Sequence, residues 1–334
     1  MIIPNLDKSL LSLSVEIKNN FEDKTTEMIT RKKLIFILVD GLGYDLAKRV
    51  LSKRLPDYVN INKIHSVFPT ITITVLSTLF TATPPGVHGI MGWKIFDKRR
   101  GRIIDLLKEK SYKINLESYL PKESVILTSY EENVLRFTKM VSGERMIIPY
   151  YSPWDAFTQA YNLAQNDSPF IFLYLPYVDM VSHHLGPYSE HTIRVAREVM
   201  DLTFKLANDV KEKYDVIVTA DHGHVPVKGY VRVSEEILKI VDFPPFGGAR
   251  NLMFISKRNP KEWLEENYDM AIFDKEKLKN ICGGDNVPDF AGVPLSNMVY
   301  DYWDDEEEKT YLGSHGGLSK EEIEIPLIVI SKKG

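Results

Sequence analysis

LIFILVD, residues 34–40, is a run of six apolar residues closed by an aspartate. Branched aliphatic side chains dominate it and no polar residue interrupts it, which suits a strand covered on both faces of a sheet. Runs of the same kind recur at SVILTS (124–129), FIFLYLPYVD (170–179), DVIVTAD (215–221), NLMFIS (251–256) and IPLIVIS (325–331). Helical patterns lie between them, at 45–55, 153–165 and 190–213. In the last of these Ile193, Ala196, Val199, Met200, Leu206 and Val210 make one apolar face. Strands alternating with amphipathic helices predict an α/β fold, a sheet with helices on both faces. Two stretches, 94–150 and 228–312, interrupt the alternation. They are expected to be excursions that cap the site within a single domain spanning 1–334.

The bulk composition narrows the function. The chain has 334 residues, 44% hydrophobic and 26% charged, with a formal net charge of −4. That is globular, and no basic block or stripe points to nucleic acid. The longest apolar runs are too short to span a bilayer. The N-terminal stretch lacks a basic segment followed by a clean apolar run, and the single cysteine, Cys282, allows no intrachain disulfide. The expected setting is the cytoplasm, without a membrane partner. The oligomeric state is not legible.

Three of the apolar runs end in an aspartate: Asp40, Asp179 and Asp221. Ligands of open α/β sheets bind beyond the carboxyl ends of the strands, and a carboxylate there is costly unless paired or bound to metal. Histidines accompany these aspartates. His183 follows Asp179 by four residues, one helical turn; His222 follows Asp221 directly; His315 sits in the glycine-rich GSHGG (313–317). Carboxylate with imidazole is a donor set for zinc and its first-row neighbours. Six such residues are too many for one tetrahedral ion and suit two. The segment FPTITITVLSTLFTATPPGVHGI (68–90) adds Thr70, Thr72 and Thr74, which alternate and so share a face if extended. A threonine hydroxyl becomes a nucleophile when a metal lowers its pKa.

This ordered set resembles the alkaline phosphatase superfamily, specifically its type I phosphodiesterase/nucleotide pyrophosphatase branch. The resemblance rests on VDG (39–41), FPT-x-T through GVHGI (68–90), D-x-x-x-H-x-x-GP (179–187), ADHGH (220–224) and GSHGG (313–317). It implies a mixed, mainly parallel central sheet sandwiched by helices, and two divalent ions, usually zinc, with manganese or iron as variants. Asp40, Thr72, Asp221 and His222 match the ligands of one ion, and Asp179, His183 and His315 those of the other. Thr72 matches the nucleophile. The implied reaction is hydrolysis of a small phosphate ester through a phosphothreonine intermediate.

Two positions depart from the nucleotide-specific pattern. Val75 stands where an asparagine usually donates to phosphate, and Ile73 where an aromatic usually stacks on the base. Arg250 and Lys94 are candidates to replace the lost donor. Phosphomonoesterase or phosphomutase activity within the superfamily is the nearest alternative. A non-catalytic, metal-stabilised protein that binds a phosphorylated ligand is the alternative from another class. A sulfatase would need a C/S-x-P-x-R motif, which ICGGD (281–285) does not provide. A dinucleotide fingerprint after the first strand fails because Leu46 stands at the third glycine. His224 flanks a matched ligand and receives no role.

Overall fold

The computed structural model describes residues 1–52, 59–114, 116–248, 250–306 and 308–331. Seven strands form the central sheet: β1 (Leu34–Val39), β2 (Asn62–His65), β3 (Val125–Ser129), β4 (Met146–Tyr150), β5 (Phe170–Leu175), β6 (Asp215–Thr219) and β7 (Glu324–Ile330). Their order is β2-β7-β6-β1-β5-β3-β4. The run from β6 to β4 is parallel, and β7 is antiparallel to both its neighbours. β1 and β5 are buried at every position, as continuous apolar runs require. Leu34 lies opposite both Phe170 and Asp215, so β1, β5 and β6 begin level and end level. That register brings Asp40, Asp179 and Asp221 to one edge.

Helices pack in two groups. Glu190–Val210 lies against Tyr44–Leu51, Pro153–Gln165 and Tyr177–Leu185, while Thr72–Thr81 lies between Leu10–Phe21 and Glu132–Ser142. Glu190–Val210 buries the apolar face read from its sequence, and Ser189 caps its first turn by accepting from the Thr192 amide. Pro153–Gln165 starts with proline in its first turn behind the Ser152 cap. Of the helix expected at 45–55, Tyr44–Leu51 forms; residues 53–58 lie outside the described ones.

The stretch 94–150 divides. Val125–Ser129 and Met146–Tyr150 are central strands, whereas Lys94–Asp97 and Arg102–Asp105 belong to a second, six-stranded sheet. The rest of that sheet is Phe246–Gly248, Asn251–Phe254, Met270–Asp274 and Phe290–Pro294. Gly247 pairs with Lys94, so the two excursions are joined backbone to backbone. NLMFIS is therefore a strand of this second sheet. Among the described residues no helix is long and apolar enough to cross a membrane.

Candidate active site at the strand ends

Asp40 follows β1, Asp221 lies just beyond β6, and Asp179 enters helix Tyr177–Leu185 directly after β5. Gly41 lets these ends converge. Its φ is +76°, and a Cβ there would sit 2.7 Å from His224 Cε1 and 2.8 Å from Asp179 Cα. Its amide donates to Asp221 Oδ1 at 3.1 Å, and the His222 amide donates to the same oxygen at 2.9 Å.

The imidazoles are oriented from behind. His183 Nδ1 lies 2.8 Å from the Gly313 carbonyl and His315 Nδ1 lies 2.7 Å from the Thr70 carbonyl. A carbonyl only accepts, so each Nδ1 carries the proton and each Nε2 offers its lone pair to the site. His183 Nε2 is 3.3 Å and His315 Nε2 3.6 Å from Asp179 Oδ1. His222 Nε2 is 3.2 Å from Asp221 Oδ2 and 3.5 Å from Asp40 Oδ1. The His222 and His315 rings stack at 3.6 Å.

The electrostatics favour cations. Burial, then Asp221 and Asp179, push the Asp40 carboxyl well above the usual range, although the Tyr174 hydroxyl donates to it. Burial pushes Asp221 up to about 6. Burial also works against ionised Asp179, but His183 and His224 outweigh it and hold that carboxyl low. Burial depresses His222 to about 3 and His315 well below its ordinary value, so both rings are neutral, as metal ligands must be. Asp40 Oδ1, Asp179 Oδ1 and Asp221 Oδ2 are buried without a hydrogen-bond partner among the described residues. Three buried carboxyl oxygens without hydrogen-bond partners among the described residues, beside the neutral imidazoles of His222 and His315, fit divalent cations.

Ligand atoms of Asp40, Asp179 and His222 lie within 4.8 Å of one another, and so do those of Asp179, His183, His224 and His315. Asp179 belongs to both groups. His224 belongs to the second, although its sequence context gave it no role. The signal lay in the repeat of histidine in DHGH, but only the turn after β6 aims that side chain inward.

Thr72 opens helix Thr72–Thr81, and its Oγ1 lies 3.4 Å from His222 Nε2. Thr70 and Thr74 do not join it. Thr70 Oγ1 accepts from the Gly316 amide and donates to the Gly317 carbonyl, and Thr74 is wholly buried. Ile73 and Val75 are also core residues, while Leu76 reaches the cleft. Arg250 is not available as a phosphate clamp. It is 1% exposed and ion-paired to Glu322 at 2.8 Å, with its remaining bonds to the Ser296 and Met298 carbonyls. Lys94 sits in the second sheet and does not line the cleft.

The cleft over Asp40, Thr72 and Asp179 has a volume of about 380 Å³, with Trp93, Leu107 and Phe137 on its walls. An adjoining space of about 160 Å³ reaches Ser314 and His315. A larger cavity of about 680 Å³, rimmed by Lys98, Arg99 and Arg100, touches none of these groups. The chemistry, not the size, identifies the site.

The model of the family described as type I phosphodiesterase / nucleotide pyrophosphatase matches residues 34–113 and 119–326. No curated protein matches. Among solved structures, murine ectonucleotide pyrophosphatase / phosphodiesterase 5 is similar at a TM-score of 0.62 and 17% identity, covering 89% of this chain and 87% of that one. An inactive form of it has been solved in complex with AMP. Phosphonoacetate hydrolase from Sinorhizobium meliloti 1021, in complex with phosphonoformate, is similar at a TM-score of 0.67 and 15% identity, covering 92% and 94%. At such identities these likenesses speak for the fold, an alkaline phosphatase-like α/β sandwich. The family match spans every strand-end residue of the site, and the chain belongs to the type I phosphodiesterase / nucleotide pyrophosphatase family.

Proposed function

We propose that this phosphoester hydrolase is a two-metal phosphodiesterase with Thr72 as its nucleophile. The observation that carries the reading is the Thr72 hydroxyl, 3.4 Å from His222 Nε2, beside three buried carboxylate oxygens without partners. Asp40, Asp221 and His222 with Thr72 would hold one divalent ion; Asp179, His183 and His315 would hold the other. Zinc leads, with manganese or iron as alternatives. Bound there, such ions supply Lewis-acid chemistry, lowering the hydroxyl pKa and offsetting phosphate charge. Thr72 Oγ1 bonds to phosphorus as one alkoxide leaves, and water then breaks the Oγ1–P bond and restores the hydroxyl.

The first turn of helix Thr72–Thr81 has no side-chain cap. The amides of that uncapped turn and their partial positive charge favour an anion at Thr72, which offsets the missing donor at Val75. The diester is preferred over the monoester because no lysine or arginine is among the described residues lining the cleft, while Glu131 is. A dianionic monoester would meet too little positive charge there. Both excursions contribute walls, Leu107 and Phe137 from one and Tyr311 from the other, which supports one catalytic unit with the excursions as its cap. A reducing cytoplasm suits the lone buried thiol of Cys282.

The test is metal content together with release of p-nitrophenol from bis-p-nitrophenyl phosphate and from the monoester, with and without chelator. Two ions per chain and chelator-sensitive cleavage favouring the diester is the expected result. Ions without cleavage of either ester would replace the enzyme with a phosphate-ligand binding protein.

A further inference from the structure

His224 is fully buried at its side chain, and neither ring nitrogen has a hydrogen-bond partner among the described residues. A buried imidazole left in that state is costly, and beyond its ion pair with Asp179 a metal bond would satisfy it. Nε2 is 2.9 Å from Asp179 Oδ1, an oxygen that also lacks a hydrogen-bond partner. The rings of His183, His222 and His315 surround it at 4.9, 5.3 and 5.0 Å, each steeply inclined to it, so edges rather than faces meet. Room for the ring exists because Gly41 has no Cβ.

We propose that His224 is a direct ligand of the ion held by Asp179, His183 and His315, making a site of three imidazoles and one carboxylate. This inference rests on the reading of the strand-end cluster as a metal centre. It also narrows the ion. Four protein donors fill a tetrahedral shell, yet hydrolysis needs an open position. Zinc still leads at the other position, but this one favours an imidazole-binding ion that accepts five or six ligands, such as iron(II), cobalt(II) or nickel(II).

The experiment is a crystal structure of the cobalt-loaded protein with anomalous scattering, beside equilibrium dialysis of native protein and His224→Asn against cobalt. The expected map has one of two cobalt ions about 2.0–2.2 Å from a His224 ring nitrogen. The variant should hold that ion more than about 100-fold more weakly, beyond the 10–100-fold typical of residues that only orient a ligand. Its visible spectrum should change for one cobalt and not for the other. Two bound ions with both His224 nitrogens more than about 3 Å from either would overturn the proposal and leave the two-metal reading intact. No bound ion in the native protein would remove both. If the variant fails to fold, the native map decides alone.

Discussion

Arg250 and Glu322, 72 residues apart in the chain, form a buried two-point ion pair, Nε to Oε1 at 2.8 Å and Nη2 to Oε2 at 3.1 Å. The Glu322 carboxylate also accepts from the amides of Gly317 and Ser319, so the pair anchors the loop that carries His315. Burial alone would raise the Glu322 carboxyl; Arg250 outweighs it and holds the carboxyl low. Arg250→Met should leave that charge buried and uncompensated and cost about 3–5 kcal/mol of stability. Urea unfolding of the variant measures it. An unchanged midpoint would mean that the pair contributes nothing to the fold.

Thr72→Ala and Thr70→Ala should fail differently. The first should lose about 10³-fold or more in kcat while melting normally. The second removes a hydroxyl bonded to both Gly316 and Gly317 and should cost about 1–3 kcal/mol, with a milder effect on rate. Steady-state rates and melting curves of the two variants separate nucleophile from loop support.

Removing divalent ions with a chelator should lower the melting temperature. Returning an ion at 100 times its dissociation constant should restore about 2.7 kcal/mol per site. Calorimetric scans at graded metal concentrations check this. A melting temperature indifferent to chelator and to added metal would contradict a metal centre built on Asp40, Asp179 and Asp221.

Gly41→Ala should reduce activity more than stability. The new Cβ would press on His224 and the Asp179 backbone in a left-handed conformation that costs alanine about 1–2 kcal/mol. Displacement of Asp179 would disturb both groups of ligand atoms at once. Metal stoichiometry of the variant, set against its melting temperature, reads the difference.

His88 gives a pH test away from the strand ends. Burial lowers it to about 3, and its Nδ1 accepts from the Ile90 amide while Nε2 meets Thr78 Oγ1. Its unfolded value is 6.5, so the unfolded chain binds the extra proton. Its contribution is present above pH 6.5 and is lost as pH falls from there towards 3. Between pH 7 and pH 5 the loss is at most about 2 kcal/mol, less because His88 borders an open cavity. His88→Gln should flatten this part of the stability–pH curve. A variant as acid-sensitive as the native protein would refute it.

The sheet was legible because Leu34–Val39 and Phe170–Leu175 are buried on both faces, and that condition writes itself into sequence as an unbroken apolar run. The strand-end aspartates were legible for the same reason, since a charge closing such a run stands out. Arg250 was not. A guanidinium near glycines suits a phosphate equally well, and its partner Glu322 is distant in sequence. His224 was missed because a residue flanking a ligand can face either way, and only the path of the chain after β6 decides. From sequence the second sheet reads only as two excursions, and NLMFIS as one more strand of the central sheet, because its strands are short and drawn from excursions that meet through pairings such as Gly247 with Lys94.

β2 joins the central sheet only through β7, although some 260 residues separate them. On a ribosome, Asn62–His65 must therefore wait for its strand partner while the intervening chain is made, with Ser9 bridged to His65 from the N-terminal side. The edge of β6, beside Asp221, stays open for the same interval. The GSHGG loop and Glu322 emerge shortly before β7, so the donor set is completed at almost the moment the sheet is closed. A nascent chain halted before residue 315 could build much of the core and still lack the His315 imidazole that faces Asp179. In a two-metal enzyme with this order of strands, ion binding would wait on the segment that closes the sheet.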